Sequence, residues 1–206
     1  MAAPTPARIW TSFLPETALP EQPPTADLGI TRYRIDAVEP IRGDAAIEWQ
    51  PGTTLLRLES STKTHGGRGV LSGVTGHVLY TTAAERSELA ALSASPAGPN
   101  AVLIPIRKSA AWWALAQDER LAIFHGQGGA RGHYVIGKPH AARIFRRLYH
   151  CRYLQEASWD FLTYFEFSDA DAPHFRELLA ELRDPEQNPE WRYVEAELEL
   201  RLQKLV

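Results

Sequence analysis

The stretch WDFLTYFEF, from Trp159 to Phe167, is the segment that decides the fold class. Aromatic and β-branched residues fill it, and its side chains alternate in character, which is typical of a β-strand. Upstream, AVLIPIR at Ala101 to Arg107 is a short continuous apolar run, as expected for a buried strand. Downstream, WRYVEAELELRL at Trp191 to Leu202 alternates apolar and charged residues, which predicts a half-exposed strand.

Helical patterns separate these strands. Ser109 is a candidate N-cap for a helix from Ala110 to Phe124, and Pro173 to Arg183 is amphipathic. With an extended segment at Arg147 to Tyr153, the second half reads strand, helix, strand, strand, helix, strand. That order predicts a ferredoxin-like unit, an antiparallel sheet with helices on one face.

The first half is rich in strands and is separated from the second by a break at Ser95 to Asn100. Its predicted strands are Tyr33 to Val38, Thr54 to Glu59 and Gly69 to Thr81, followed by a helix at Ala83 to Ser93. We therefore expect an α+β protein of two ferredoxin-like halves, a degenerate one at 27–100 and a complete one at 101–206. The proline density of residues 1–26 predicts a flexible arm.

Composition excludes several classes of function. The net charge is -3 over 206 residues, so there is no electrostatic footprint for nucleic acid. The single cysteine, Cys151, rules out an internal disulfide and a thiolate metal cage. No apolar run approaches the roughly 20 residues of a membrane helix, and no export signal is recognisable. We expect a cytoplasmic protein that binds neither membrane nor nucleic acid.

The candidate chemistry lies in GHYVIGKPHAARIFRRLYHCRYL, Gly132 to Leu154. A continuous helix would place His133 and Arg146 about 20 Å apart, at about 1.5 Å per residue. Pro139 disfavours helical angles at Lys138, so a break there would let the two side chains flank one site. After the break we expect a helical stretch through Ala141 to about Arg146. Taken alone, a single histidine and an Arg-Arg pair are more often surface residues.

The segment resembles the chlorite dismutase family of haem b proteins, part of the dimeric α+β barrel superfamily. The family pattern is a histidine, Ile-Gly three and four positions later, an arginine after 13 positions, and a basic-Leu-aromatic-His stretch. His133, Ile136, Gly137, Arg146 and Arg147 to His150 fit it. Ile104 to Trp113, Glu119-Arg120 and the two closing strands also match.

The resemblance implies a site. Haem b is the implied cofactor, with His133 as the iron ligand and Arg146 as the catalytic residue of the open face; Arg147 is the alternative if the register slips by one. A glutamate would accept a hydrogen bond from the other imidazole nitrogen, either Glu190 or Glu186. The remaining cofactor-binding residues implied by the resemblance are Lys108, Trp112, Trp113 and Ile136.

The resemblance also implies an activity, the decomposition of chlorite to chloride and dioxygen through an oxo-iron species and hypochlorite. The partners would be this small oxyanion and, at this chain length, a second copy in a homodimer. Alternatives are a coproheme decarboxylase, whose relatives generally carry a neutral residue in place of Arg146, and a haem-binding or sensing protein with weak peroxidase activity. A haem-free interaction module is the third.

Overall fold

The structure is a computed structural model that describes residues 8–19, 26–63, 69–76, 80–96, 98–152, 154 and 159–205. Its eight strands are β1 (Trp10–Pro15), β2 (Gly29–Arg42), β3 (Thr54–Ser60), β4 (Leu71–Val74), β5 (Asn100–Lys108), β6 (Phe145–His150), β7 (Phe161–Phe167) and β8 (Val194–Lys204). The helices are α1 (Ala83–Leu92), α2 (Ala110–Ala114), α3 (Gln117–His125), α4 (Gly132–Gly137) and α5 (Ala172–Leu182). Short 3-10 turns occupy Glu16–Ala18, Lys138–His140, Asp169–Asp171 and Pro189–Tyr193.

The strands form one closed antiparallel barrel in the order β1-β3-β2-β8-β5-β7-β6-β4. Pairing of β2 with β8 and of β4 with β6 joins the two halves, so each half completes the other's sheet. Among the described residues the barrel closes at one point only, because β4 and β6 pair through Val74 and His150 alone. The α+β class with antiparallel strands is confirmed; the division into two ferredoxin-like halves goes further and stays a prediction.

Alternation along the strands divides the apolar side chains between two cores. Leu103 of β5 and Tyr164 of β7 point into the barrel, where they meet Phe13 and Tyr149. The intervening strand residues Val102, Ile104 and Phe165 face outward, where they pack against Ile136 of α4 and against Phe175 and Leu178 of α5. The helices therefore cover the outer face of the second half's sheet, and the candidate site lies between these two layers.

The predicted flexible arm at residues 1–26 is wrong for Trp10–Pro15, which forms β1 between β3 and β4. Phe13 and Leu14 are fully buried there. Pro15 is tolerated because it ends the strand, where its missing N–H interrupts no long ladder. The proline-rich remainder, residues 1–7 and 20–25, lies outside the described residues.

Four predicted elements differ in detail. Of the strand expected at Gly69 to Thr81, the described residues form a strand only at Leu71–Val74. The helix expected from Ala110 to Phe124 is divided at Leu115, whose backbone is extended, because Glu119 caps a new helix by accepting from the N–H of Ala116 at 2.6 Å. The helical stretch expected through Ala141 to Arg146 is wrong, since β6 already begins at Phe145. The strand expected from Trp191 begins at Val194, after the last 3-10 turn.

Among the described residues, no helix is both long and apolar enough to cross a membrane.

Candidate functional site

A cleft between the outer sheet face and the helices forms two adjoining cavities. The volumes of these cavities are about 50 and about 290 Å³, and both are lined by His133, Arg146, Phe165 and Leu182. Ligand clefts in proteins usually measure about 300 to 1,000 Å³ and are mostly apolar with a few convergent polar groups. Together the two cavities reach the lower end of that range.

The start of α4 fixes the position of His133. Gly132 has φ +72°, and a Cβ added there would lie 2.2 Å from the backbone nitrogen of Gly126. Its N–H donates to the carbonyl of Gln187 at 3.0 Å. Only glycine combines this backbone conformation with so close an approach of two chain segments. Gly132 thus holds the start of α4 against the turn after α3 and against the loop after α5.

His133, Glu190 and Lys108 form a buried chain of hydrogen bonds. The imidazole Nδ1 lies 3.0 Å from Glu190 Oε2, and the ammonium of Lys108 donates to Glu190 Oε1 at 2.7 Å. A carboxylate only accepts, so His133 carries its proton on Nδ1. The other ring nitrogen, Nε2, is buried and has no hydrogen-bond partner. The chain therefore presents an unprotonated imidazole nitrogen with its lone pair unused.

The charges around this chain keep the imidazole neutral. Burial lowers the pKa of His133, the charge of Arg146 lowers it further, and Glu190 opposes both effects. Burial alone would raise the pKa of Glu190, but the charge of Lys108 and the hydrogen bonds from His133 and Lys108 hold it well below its ordinary value. The result is an ionised Glu190 beside a neutral His133, which is the protonation state of a metal-binding histidine.

Arg146 reaches the same cleft from the opposite layer. It lies on β6 and lines both cavities, with its guanidinium 6.0 Å from the ring centre of Phe165. Burial lowers its pKa, and Glu190 acts against that shift. Its Nε is buried without a partner, and no residue that the structure describes forms an ion pair with it. A guanidinium held this way is available to an anionic ligand.

The connection between His133 and Arg146 differs from the predicted one. Lys138 keeps helical angles, φ -57° and ψ -46°, so Pro139 does not break the helix before itself. Instead α4 tightens into a 3-10 turn over Lys138–His140, where Pro139 occupies a first-turn position that needs no N–H donor. The chain reverses at 141–144 and enters β6. The two side chains meet because one lies on a helix and the other on a strand.

Arg147 lies on the opposite face of β6. Its guanidinium donates to Glu59 of β3 at 2.7 Å, as expected when successive strand residues alternate between faces. Of the two glutamate candidates, Glu190 contacts His133, whereas Glu186 is exposed and pairs with Arg192 at 2.6 Å. The structure therefore brings together Lys108, His133, Arg146 and Glu190 from the expected set.

Three expected cofactor-binding residues lie behind the cleft walls. Trp112 is fully buried and has the Lys108 ammonium 4.8 Å from its ring centre. Trp113 stacks on Phe161 at 6.0 Å, and its Nε1 donates to Asp160 at 3.3 Å. Ile136 is buried in the core under α4. None of the three lines either of the two cavities.

Several lining residues were not expected from the sequence. Tyr134, Lys138 and His140 line the larger cavity beside Arg146, as do Thr81 and Ser93 from the first half. No carboxylate occurs among the described residues of its lining, whose polar side chains are cations, hydroxyl groups and the imidazoles of His133 and His140. Tyr134 and Lys138 are four residues apart, which places them on one helix face. This spacing is the sequence signal that could have identified them as lining residues. Nothing local to 81–93 indicated contact with the second half.

One metal-binding arrangement is excluded. Among the described residues, no group of three or more His, Cys, Asp or Glu side chains is placed to hold a metal ion. A metal in this cleft would find fewer than three ligands among these side chains, with Nε2 of His133 as the unused lone pair. The remaining coordination would have to come with the metal itself, as in haem.

Comparison with known proteins gives consistent matches. The chain is 32% identical to the dimeric chlorite dismutase of Nitrobacter winogradskyi, with a TM-score of 0.72 over 94% of this chain and 99% of that one. It is 33% identical to the chlorite dismutase of Ideonella dechloratans over 88 residues, 43% of this chain but only 27% of that relative's length. A mutant chlorite dismutase from Candidatus Nitrospira defluvii, solved with cyanide, shares the fold at 18% identity and a TM-score of 0.65, covering 96% of this chain and 91% of that one. No family profile matches.

Proposed function

The chain belongs to the chlorite dismutase family, and from this membership we propose that it is a haem b enzyme that converts chlorite to chloride and dioxygen. The observation that carries the proposal is the unpartnered Nε2 of His133, which lines the same cleft as the unpaired guanidinium of Arg146. This pairs a neutral ligand nitrogen with an anion-binding group. The activity and the cofactor rest on this geometry together with the family.

The residues of the cleft fit haem in three respects. His133 offers one lone pair, held in the correct tautomer by Glu190. The cavity walls are mainly apolar, as a porphyrin ring requires, with Ile144, Leu148 and Phe165 among them. The described lining of the larger cavity has cationic and hydroxyl groups and no carboxylate, which suits the acidic side chains of haem b.

The chemistry divides between the cofactor and the chain. Haem iron, when bound, supplies the bond making and breaking at chlorine and oxygen. His133 holds the iron, and Glu190 keeps the Nδ1 proton of the imidazole and raises its basicity as a ligand. Lys108 neutralises the buried carboxylate, so the ion pair is stable inside the protein.

Arg146 acts on the substrate. Its fixed positive charge would attract chlorite and hold this oxyanion in the cleft while it reacts. The reaction ClO₂⁻ → Cl⁻ + O₂ balances in atoms and charge, so no external electron donor is required. Because nothing in the described structure competes for its guanidinium, Arg146 is preorganised for an anion at little cost.

Oxygen evolution tests the proposal. Haem-loaded protein given chlorite should release dioxygen at an electrode, and Arg146→Ala should lower that rate by about 100-fold or more, the usual effect of removing one group that stabilises developing charge. Arg143→Ala is the matched control, because this nearby arginine is exposed and pairs with Asp171. Its rate should be unchanged.

Two outcomes would contradict the proposal. Tight haem binding without oxygen release would favour a haem-binding or sensing protein, and conversion of coproheme to haem b by the same preparation would favour the decarboxylase.

We also propose that the protein is a homodimer, supported by the dimeric Nitrobacter relative. Light scattering after size exclusion should give twice the chain mass of 23.0 kDa; a monomer would contradict this.

A further inference from the structure

The helix α1 forms one wall of the larger cavity although it comes from the first half of the chain. Leu89 and Ser93 line the cavity, as do Tyr80 and Thr81 just before the helix. Yet no residue of α1 is buried. Most helices in proteins are stabilised by an apolar face packed against the core. This wall lacks such a face and must be held by other means.

Polar contacts attach α1 to the helices beside His133. The carboxylate of Glu88 pairs with Lys138 at 2.7 Å and accepts from the hydroxyl of Tyr134 at 3.0 Å. Glu85 lies 2.8 Å from Nε2 of His125 on α3. Beyond the helix, the N–H of Ala94 donates to the carbonyl of Ala141 at 2.7 Å. Among the described residues, the side-chain hydrogen bonds and ion pairs from α1 to α3 and to the segment from Tyr134 to Lys138 all involve Glu85 or Glu88.

These contacts are weak individually. Glu88 and Lys138 are each about half exposed, and exposed ion pairs contribute little to stability because water screens them. Nδ1 of His125 lies 2.9 Å from the carbonyl oxygen of Leu121. Both ring nitrogens therefore face hydrogen-bond acceptors, this carbonyl and the carboxylate of Glu85, and a neutral imidazole can donate to only one of them. A segment held by several weak contacts and no core opens more readily than the barrel it covers.

We propose that α1 is a gate over the cofactor cleft, closed by the contacts of Glu85 and Glu88 with α3 and α4, and opened when a flat acidic cofactor enters or leaves. This inference rests on the proposed haem site, whose regulation it describes. Gates of this kind exclude water from a site while it is closed and commit the ligand once it is bound.

The rate of haem loss tests the gate. Haem-loaded protein is mixed with excess apomyoglobin, and transfer is followed by absorbance. Glu85→Gln combined with Glu88→Gln should speed transfer by about three- to tenfold, from the modest worth of each exposed contact, while the spectrum of bound haem is unchanged. The control is Glu39→Gln, which removes an exposed ion pair with Arg201 on the barrel and should not alter the rate.

Locking the gate should have the opposite effect. Glu88→Cys with Lys138→Cys, joined by a short bis-maleimide, should slow both uptake and loss of haem, and reduced uncrosslinked protein should not. The native Cys151 is buried and does not compete for the reagent. Equal transfer rates in the glutamine variant, the cross-linked protein and the wild type would overturn the gate.

Hydrogen exchange separates failure of the gate from failure of the haem site. In protein without haem, amides of residues 83–92 should exchange faster than those of β7, and faster still in the Glu85→Gln, Glu88→Gln variant. If haem does not bind but this pattern holds, only the proposed function fails. If α1 is as protected as β7, or the variant does not change its exchange, the gate fails whatever binds.

Discussion

The ion pair between Lys108 and Glu190 yields a prediction that does not depend on the cofactor. Lys108 is 6% exposed and Glu190 is 9% exposed, so neither charge has water to replace its partner. Lys108→Met keeps the length of the side chain but leaves the carboxylate with only His133. Removing one partner of a buried pair costs about 3–5 kcal/mol. For a chain of this size, about 3 kcal/mol corresponds to a fall in melting temperature of about 6–12 °C.

A double-mutant cycle isolates the pair. Glu190→Gln should cost a similar amount, because it leaves the ammonium buried without a counter-charge. The double variant removes both charges, so its loss of stability should fall short of the two single losses together by about 3 kcal/mol. Urea unfolding of haem-free protein at pH 7 measures all four free energies of unfolding.

The neighbouring pair Arg107 and Glu195 is the control. Arg107 Nε lies 3.4 Å from Glu195 Oε1, but the side chain of Arg107 is 35% exposed and that of Glu195 is 52% exposed. The same cycle with Arg107→Met and Glu195→Gln should therefore give a coupling energy below about 1 kcal/mol. Additive losses in the Lys108 and Glu190 cycle, within about 0.5 kcal/mol, would refute the reasoning that this pair is a closed electrostatic unit.

Three further predictions concern the position and protonation of His133. Gly132→Ala should cost at least about 2 kcal/mol and weaken haem binding, because φ +72° and the approach of Gly126 both oppose a side chain; Gly128→Ala, at φ +64° with open space around it, should cost less in the same melting assay. Glu190→Gln should lower haem affinity by about 10- to 100-fold in a Soret titration, and unchanged affinity would remove Glu190 from its supporting role. Because the pKa of His133 is lowered from 6.5, the imidazole stays neutral as the pH falls through that value, so the Soret band should persist at pH 6 and decline only in stronger acid; a midpoint at or above 6.5 would contradict the buried, charge-depressed environment.

The sequence predicted those parts of the fold that local pattern determines. Strands β5, β7 and β8 have alternating or continuous apolar runs, and each lies within a few residues of its predicted range. Barrel closure was not predictable, because the pairing of β2 with β8 joins residues more than 150 positions apart. The strand β1 was missed because the surrounding prolines outweighed its short apolar run.

In the candidate site, too, some features were predictable from the sequence and others depend on contacts between distant residues. The resemblance pointed to His133 and Arg146, and the structure explains how they share a cleft, although the expected break at Pro139 does not occur. Lys108 and Glu190 are 82 positions apart, so no local pattern links them; the resemblance pointed to both, and the structure adds their direct contact at 2.7 Å. The role of α1 in the cavity wall was invisible for the same reason, since Leu89 and Ser93 carry no local signal of their distant neighbours.

The central claim is that His133 binds haem iron through its unpartnered nitrogen. Titration of haem into purified protein, followed at the Soret band, tests it most directly. Wild type and His174→Ala, whose histidine is exposed on α5, should saturate at one haem per chain. His133→Ala should lose the histidine-ligated spectrum and regain it when free imidazole is added. A His133→Ala spectrum identical to that of the wild type, without imidazole, would contradict the account.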